Sequence, residues 1–535
     1  MITVDDIRTK TERFYVSKPS IDYSSDIDLY QINQSEFLRQ LDPNSHKILD
    51  PLSYHDIWKE VPIDEKDESK GTQWVCNHVE RVSIALQNVI LSKQLTHLCG
   101  ESMNFDIMEL YPTKDQTDAY ISFKQKWMLY QFDTGIYEFI KSVKATADGA
   151  IALYKNGNGE TSYKTFSILD KDLLHPIFDY TGKLRLFGRT FTNTDEYANN
   201  TIANTYLEIW DDKYYYLFST DEKLNNKKLS IPQWDEFNDF SISTDKEGDT
   251  QYYPVIQKEH GFKEVPVVYC KHKTGACWSK IESLIEGLER ALSEFFENNK
   301  SYAFRIMYIS GGFEIEGEMR DNIKQPKAIM LNDPTAKVGM VEGADASGSF
   351  KEQLQQTLDM IKLGGFIVTP PTTISGDVSG TAIKILYAPA IEKAINDIHF
   401  FNPYIRDIVN LFKESVSTEK DMSPSSLNTI HIRPYLKYYV PQNDTDRVNN
   451  LTVAKGSGYL SSETCQEKDP NATPQEAMRI KQEEQEKAIQ ERNAIVGQSQ
   501  DTGGTAIIDE NSNKGTSAMN PQNTQKKAIS KLNNK

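Results

Sequence analysis

Ser279-Lys280-Ile281-Glu282-Ser283-Leu284-Ile285-Glu286-Gly287-Leu288-Glu289-Arg290-Ala291-Leu292-Ser293-Glu294-Phe295-Phe296 opens the stretch whose reading decides the fold. Ile281, Leu284, Ile285, Leu288, Ala291, Leu292, Phe295, Phe296, Ala303 and Ile306 recur at three- and four-residue steps. The spacing predicts one amphipathic helix over Ser279–Ile309, roughly 45 Å long at 1.5 Å per residue. Its other face carries Glu282, Glu286, Glu289, Arg290, Glu294, Glu297 and Lys300 and reads as wet. A core helix of an ordinary domain rarely needs that length.

Outward from this helix, Gly311-Gly312 ends it, and strand-like pieces follow at Phe313–Ile315, Ala328–Leu331 and Lys337–Val341, separated by turns such as Asn332-Asp333-Pro334. A second helix over Phe350–Lys362 uses Leu354, Leu358 and Ile361 and is closed by Gly364-Gly365. Then comes Thr369-Pro370-Pro371-Thr372-Thr373-Ile374-Ser375-Gly376-Asp377-Val378-Ser379-Gly380-Thr381, a loop without apolar periodicity, about a dozen residues long where helix connections are usually shorter. An apolar helical run from Ala382 to Phe412 contains Pro389 and Pro403. Each removes a backbone hydrogen bond and clashes with the preceding turn, so the helix is expected to kink or break there.

The chain of 535 residues, 38% hydrophobic, is long enough for two to four units with cores of their own. A formal charge of -17 argues against a protein whose main work is gripping nucleic acid or an anionic membrane. No window approaches the roughly 18 apolar residues of a membrane span, and Met1-Ile2-Thr3-Val4-Asp5-Asp6 lacks a basic-then-apolar signal, so a cytosolic product is expected. Five scattered cysteines, Cys76, Cys99, Cys270, Cys277 and Cys465, read as reduced thiols.

Residues 1–72 form a polar arm or satellite unit. Val75, Val79, Val82, Leu86, Val89 and Ile90 predict a helix over Trp74–Leu98, and Tyr120, Phe123, Trp127, Tyr130 and Tyr137 mark a helical zone over Thr117–Lys141 whose aromatic stripe reads as core. From Asp148 the period changes to two. Ala150–Tyr154 and Tyr163–Ile168 flank Asn156-Gly157-Asn158-Gly159, and Thr205–Trp210 and Tyr214–Phe218 flank Asp211-Asp212, so both pairs predict hairpins. With Lys183–Phe187, Tyr252–Ile256 and Val265–Tyr269 they make an antiparallel unit of about 120 residues, and the fold class is α+β. Beyond Val416, strand-like Thr429–Arg433 and Tyr435–Val440 precede a helix over Asp444–Ala454 and a short one from Ser461. Thr473-Pro474-Gln475-Glu476 is a capping box for a charged helix to Arg492. The polar tail after Val496 is expected to be disordered.

Chemical motifs are sparse. There is no H-E-x-x-H, no G-x-S-x-G and no glycine loop followed by a phosphate-binding lysine. Glu314 with Glu316, and Asp211 with Asp212, are pairs that chance supplies in so acidic a chain. Cys270, His272 and Cys277 suggest half a zinc site, but no second pair stands at ligand spacing. Neither catalytic residues, a metal nor a cofactor is expected.

The order of these parts, with Tyr214-Tyr215-Tyr216, Val265-Pro266-Val267-Val268 leading into Ser279-Lys280-Ile281-Glu282, and Gly376-Asp377-Val378-Ser379-Gly380-Thr381-Ala382-Ile383-Lys384 before a proline-bearing helix, resembles the portal proteins of tailed bacteriophages. Gly458-Tyr459-Leu460-Ser461-Ser462-Glu463-Thr464, then Asp469-Pro470 and a Glu-rich helix, is similar to the C-terminal region of that family. The resemblance covers about Gln73–Arg492, and the Asn-, Lys- and Tyr-rich composition suits an AT-rich genome such as that of a crAss-like gut phage.

The resemblance implies a wing of helices and antiparallel strands over 73–278, a stem helix over 279–310, a clip over 311–349 and a second stem helix over 350–368. A tunnel loop over 369–381, a kinked helix returning to the wing over 382–441, a helical crown over 442–495 and a polar tail over 496–535 complete it. It further implies a homododecameric ring set among the major capsid protein at one capsid vertex, passing double-stranded DNA without sequence specificity. The clip, with Glu314, Glu316, Glu318, Arg320, Lys324, Lys327 and Asp333, would dock the large terminase and later head-completion, adaptor and tail proteins. Ile281, Leu284, Leu288, Leu292, Phe295 and Phe296 would pack the stem, and Thr369–Thr381 would line the channel, with Asp377 its one ionised group and Lys362 and Lys384 the nearest cations. Two alternatives remain open from the residues alone: another ring component of the virion, such as an adaptor or tail hub, and a carboxylate-based enzyme.

Overall fold

A computed structural model describes residues 34–63, 72–193, 204–229, 252–303, 307–310, 337–340, 347–369, 380–419, 424–441 and 444–462, with short pieces as far as residue 490. The chain divides into two units, Met1–Pro441 and Gln442–Lys535.

The first unit begins with helical residues 34–41 (α1). Strands β1 (Ile57–Pro62) and β2 (Thr72–Asn77) then pair as a two-stranded antiparallel ladder. Helix α2 (Leu86–Cys99), strand β3 (Asn104–Ile107) and helices α3 (Lys114–Leu129) and α4 (Phe132–Thr146) follow. The single helical zone expected over Thr117–Lys141 is thus two helices. The break falls at Gln131, whose φ of 55° is left-handed, and it turns Phe132 inward beside Trp127 and Phe412. The aromatic stripe is core at Phe123 and Trp127, whereas Tyr137 is exposed.

The helix expected over Trp74–Leu98 is also corrected. Trp74 and Val75 lie in β2 with exposed side chains, and α2 starts only at Leu86. The reason lies over 200 residues away. Glu80 N, Val82 N and Ile84 N donate to Glu297 Oε2 (3.2 Å), Ser293 Oγ (2.9 Å) and Glu289 Oε1 (2.8 Å). Alternate amides of an extended segment, about 6.7 Å apart, match side chains four residues apart on a helix, about 6 Å apart. Those amides are satisfied by a second element, so the segment does not need its own helix.

Strands β4 (Asp148–Lys155) and β5 (Thr161–Phe166) form the first expected hairpin, and β8 (Asn204–Trp210) and β9 (Tyr214–Ser219) the second. Strands β6 (Leu173–Phe178), β7 (Leu184–Asn193), β10 (Tyr253–Glu259) and β11 (Val267–Lys271) complete two antiparallel sheets, ordered β10-β9-β8-β7-β6 and β11-β4-β5. Sequence reading missed β6, which contains Pro176. A proline is tolerated at a sheet edge, and β6 is an edge strand. β4 is buried on both faces. Ile151 and Leu153 enter the helical core, while Ala150 and Ala152 face Phe166, Phe187 and Trp210 between the sheets.

After the sheets come α5 (Glu282–Ala303), β12 (Met307–Ser310), β13 (Lys337–Met340), α6 (Ser347–Gly365), α7 (Gly380–Leu386), α8 (Ala388–Ser417), the short α9 (Pro424–Asn428) and β14 (Ile432–Tyr435), which pairs with β3. The long first helix is therefore shorter than its expected span to Ile309, because residues 307–310 pair with 337–340 as strands. α8 runs through the centre of the core, with Phe401, Ile405, Ile408, Val409, Phe412 and Val416 buried at helical spacing. In the second unit, α10 (Asp444–Gly456) ends beside Gly458, whose φ of +72° suits the left-handed turn that stops it.

Candidate functional site

The α5–α6 pair stands at the centre of the segment singled out in the sequence. A Cβ placed on Gly364 would come within 2.4 Å of Ile281 Cγ2, and Phe295 stacks on Phe350 with ring centroids 4.5 Å apart and planes 6° apart. The start of α5 thus meets the end of α6 and the reverse, so the two helices are antiparallel. Ile281 and Leu288 are buried, Leu284, Leu292 and Phe295 half-buried, and Phe296 is 51% exposed.

The acidic face of α5, expected to be wet, is covered in part by the N-terminal segment. Glu289 is only 2% exposed. Its Oε1 accepts from His46 Nδ1 at 2.6 Å, while His46 Nε2 lies 2.9 Å from the carbonyl of Gln40. Both ring nitrogens lie against oxygens, an arrangement that favours the protonated imidazolium. Burial by itself lowers the His46 pKa, but the hydrogen bond and charge of Glu289 outweigh it and hold the group above its ordinary value. Glu286 pairs with Lys47 at 2.8 Å and Arg39 at 3.8 Å. Burial pushes Glu282 up to about 7 despite hydrogen bonds from Gln87. Trp278 Nε1 donates to Gln40 Oε1 at 2.9 Å. No local signal in residues 1–72 announces this strap, because its partners are all distant in sequence.

α6 is capped by Phe366, at a left-handed φ of 56°, with Ile367 N donating to Lys362 O at 2.9 Å. Gly364 and Gly365 do not serve as the left-handed residue. They admit Ile281 and Ile90 to the helix surface, and Gln94 Nε2 donates to Gly365 O at 2.9 Å. Thr369, at the start of the expected channel loop, is exposed. Pro370, Pro371, Thr372, Thr373, Ile374, Ser375, Gly376, Asp377, Val378 and Ser379 lie outside the described residues. Gly380 and Thr381, expected at the end of the loop, already belong to α7. Lys362 lies 3.3 Å from Asp359, and Lys384 is exposed on α7.

Pro389 occupies the first turn of α8, where a missing N–H costs nothing, so the chain is divided between α7 and α8 at Tyr387. At this proline a helix begins, so of the kink or break expected there the break is what forms. Pro403 lies inside α8, which continues past it to Ser417. Glu314, Glu316, Glu318, Arg320, Lys324, Lys327 and Asp333 lie outside the described residues. Of the expected clip, 337–340 form β13 and 347–349 already belong to α6.

α6 carries two apolar rows. Leu354, Leu358 and Ile361 face inward, whereas Met360 (55% exposed) and Leu363 (73%) project from the other side. On α7 and α8, Ile385 is 70% and Ile395 37% exposed. Among the described residues no helix is long and apolar enough to cross a membrane.

The body is α+β with a long antiparallel helical hairpin, α5–α6, that leaves apolar side chains exposed on α6, the kind of surface that marks an interaction site. Comparison with protein families makes the assignment specific: residues 46–490 match the family described as phage portal protein, SPP1 Gp6-like, and the chain belongs to that family. It is a structural protein of a bacteriophage virion. No curated protein matches the chain.

Proposed function

We propose that this chain assembles into a dodecameric ring at one vertex of the capsid. In this reading the ring is the channel for packaging and ejecting double-stranded DNA, and the docking platform first for terminase and then for head-completion and tail proteins. The observation that carries the reading is the second apolar row on α6, at Met360 and Leu363, which the isolated subunit leaves open. An antiparallel α5–α6 stem set side by side with its copies buries that row.

The remaining parts take their roles from the same arrangement. The helices and two sheets before α5 form the wing, and residues 311–349 the clip. The loop after Thr369 faces the channel, and the unit from Gln442 forms the crown. The loop composition of Thr, Ser, Gly and Pro offers a low-charge surface, and the formal charge of -17 per chain is repeated around the ring. A conduit built this way repels DNA and does not hold it, since each phosphate contact adds affinity and slows sliding.

Native mass measurement and negative-stain imaging of the purified protein test the assembly. The wild type is expected as a closed ring of twelve, and a Met360→Asp/Leu363→Asp variant as a folded monomer. A monomeric wild type, or a variant that closes the ring unchanged, would overturn the reading.

A further inference from the structure

The β1–β2 ladder is a two-stranded sheet whose described side chains are mostly exposed. Trp58 and Trp74 are 60% and 65% exposed, and neither belongs to a hydrophobic cluster of the core. In the register Trp58 pairs with Cys76 and Trp74 with Glu60, so both indoles lie on one face of the hairpin. Two strands without a packed face are marginal in water. A device at the base of the hairpin would change that.

Three side chains at the open end of the hairpin offer the atoms for one. Asp56 immediately precedes β1, Cys76 is in β2, and His78 follows it. His78 Nδ1 is 3.0 Å from Asp56 Oδ2, Cys76 Sγ is 3.8 Å from the same oxygen, and Sγ and Nδ1 are 3.9 Å apart. Donors around a tetrahedral zinc, with bonds of about 2.0–2.3 Å, stand about 3.3–3.8 Å from one another. These three atoms need shifts of only a few tenths of an ångström to reach that spacing. The other carboxylate oxygen, Asp56 Oδ1, is held by Arg81 Nη2 at 2.6 Å and Val79 N at 3.1 Å. Oδ2 is thereby aimed at the thiol and the imidazole.

We propose that Asp56, Cys76 and His78 bind a zinc-class divalent cation that clamps the open end of the β1–β2 hairpin. The donor set of one thiolate, one imidazole and one carboxylate selects this class over magnesium or calcium, which take oxygen ligands. Two anionic ligands neutralise the ion, and Arg81 acts as an outer partner that orients the carboxylate. On binding, the Cys76 thiol releases its proton to solvent and its sulfur forms the bond to the metal; no redox step is involved. Sequence spacing concealed the site, because Cys76-Asn77-His78 alone offers two ligands and the third lies 20 residues earlier. The proposal does not depend on the assembly proposed above.

The test uses the full chain, stripped with a chelator and titrated with cadmium alone while the thiolate-to-cadmium charge-transfer absorbance is followed. One equivalent is expected, with the band lost in Cys76→Ser and kept in Cys465→Ser. His78 is largely exposed, so His78→Gln should fold normally. It is expected to weaken cadmium binding by more than the ~10–100-fold typical of losing an outer partner. Amide exchange over 57–62 and 72–77 should slow on adding zinc to the wild type and not to His78→Gln. Absence of the band, its persistence in Cys76→Ser, or unchanged affinity in His78→Gln would overturn the proposal.

Discussion

At the scale of single residues, the buried carboxyls make the strongest statements. Asp148 accepts a hydrogen bond from Gln34 of α1 on one oxygen and lies 3.3 Å from the Tyr269 hydroxyl on the other. Burial raises its pKa to about 7. A carboxyl whose folded pKa is raised stabilises the fold below its unfolded pKa, and this contribution is lost as pH rises through the folded value. Asp148 and Glu282, both near 7, therefore weaken the fold between about pH 4 and 8. His175, lowered to about 4 by burial, acts in the opposite sense up to its ordinary range. Glu36 and Glu419, both held at about 2, matter only in acid. Asp148→Asn removes this one titrating carboxyl. Its melting temperature relative to wild type should rise steadily from pH 5 to pH 8, and a difference independent of pH would contradict the assignment.

At the scale of elements, α5 shows how one helix can carry two loads. Its apolar stripe was legible from spacing, and it does pack against α6 and the core. Spacing alone makes its polar row a solvated face, yet Glu289, Ser293 and Glu297 accept the amides of the non-helical segment before α2. Periodicity distinguishes apolar from polar faces but does not say whether a polar face meets water or another backbone. The glycines of α6 follow the same logic. They looked like a helix stop, while their physical role is close approach, with Phe366 supplying the left-handed cap. Gly364→Ala forces Ile281 aside and should destabilise the first unit by about 1–3 kcal/mol, the usual cost of overpacking. Denaturant midpoints would measure this, and an unchanged midpoint would show that Ile281 moves freely.

At the scale of the whole molecule, charge and packing point the same way. A formal charge of -17 is spread over 535 residues, and exposed apolar residues stand on α6, α7 and α8. The purified protein is therefore expected to give no mobility shift with double-stranded DNA at physiological salt, and none with a scrambled sequence either. Tight, salt-dependent binding would mean a phosphate-gripping surface and would count against a sliding channel.

The amino-acid sequence by itself determined the α+β class and the two hairpins around Asn156–Gly159 and Asp211-Asp212. These depend on local periodicity and turn chemistry, which each segment carries in its own residues. Only the tertiary structure decided that 78–85 is not helical, that the helix after Glu282 yields to a strand at Met307, that α8 begins anew before Pro389, and that His46 docks on Glu289. It alone brought Asp56 to Cys76 and His78. Each of these outcomes is set by partners far away in sequence, and a backbone amide or a buried charge takes whichever partner the packed core places within reach.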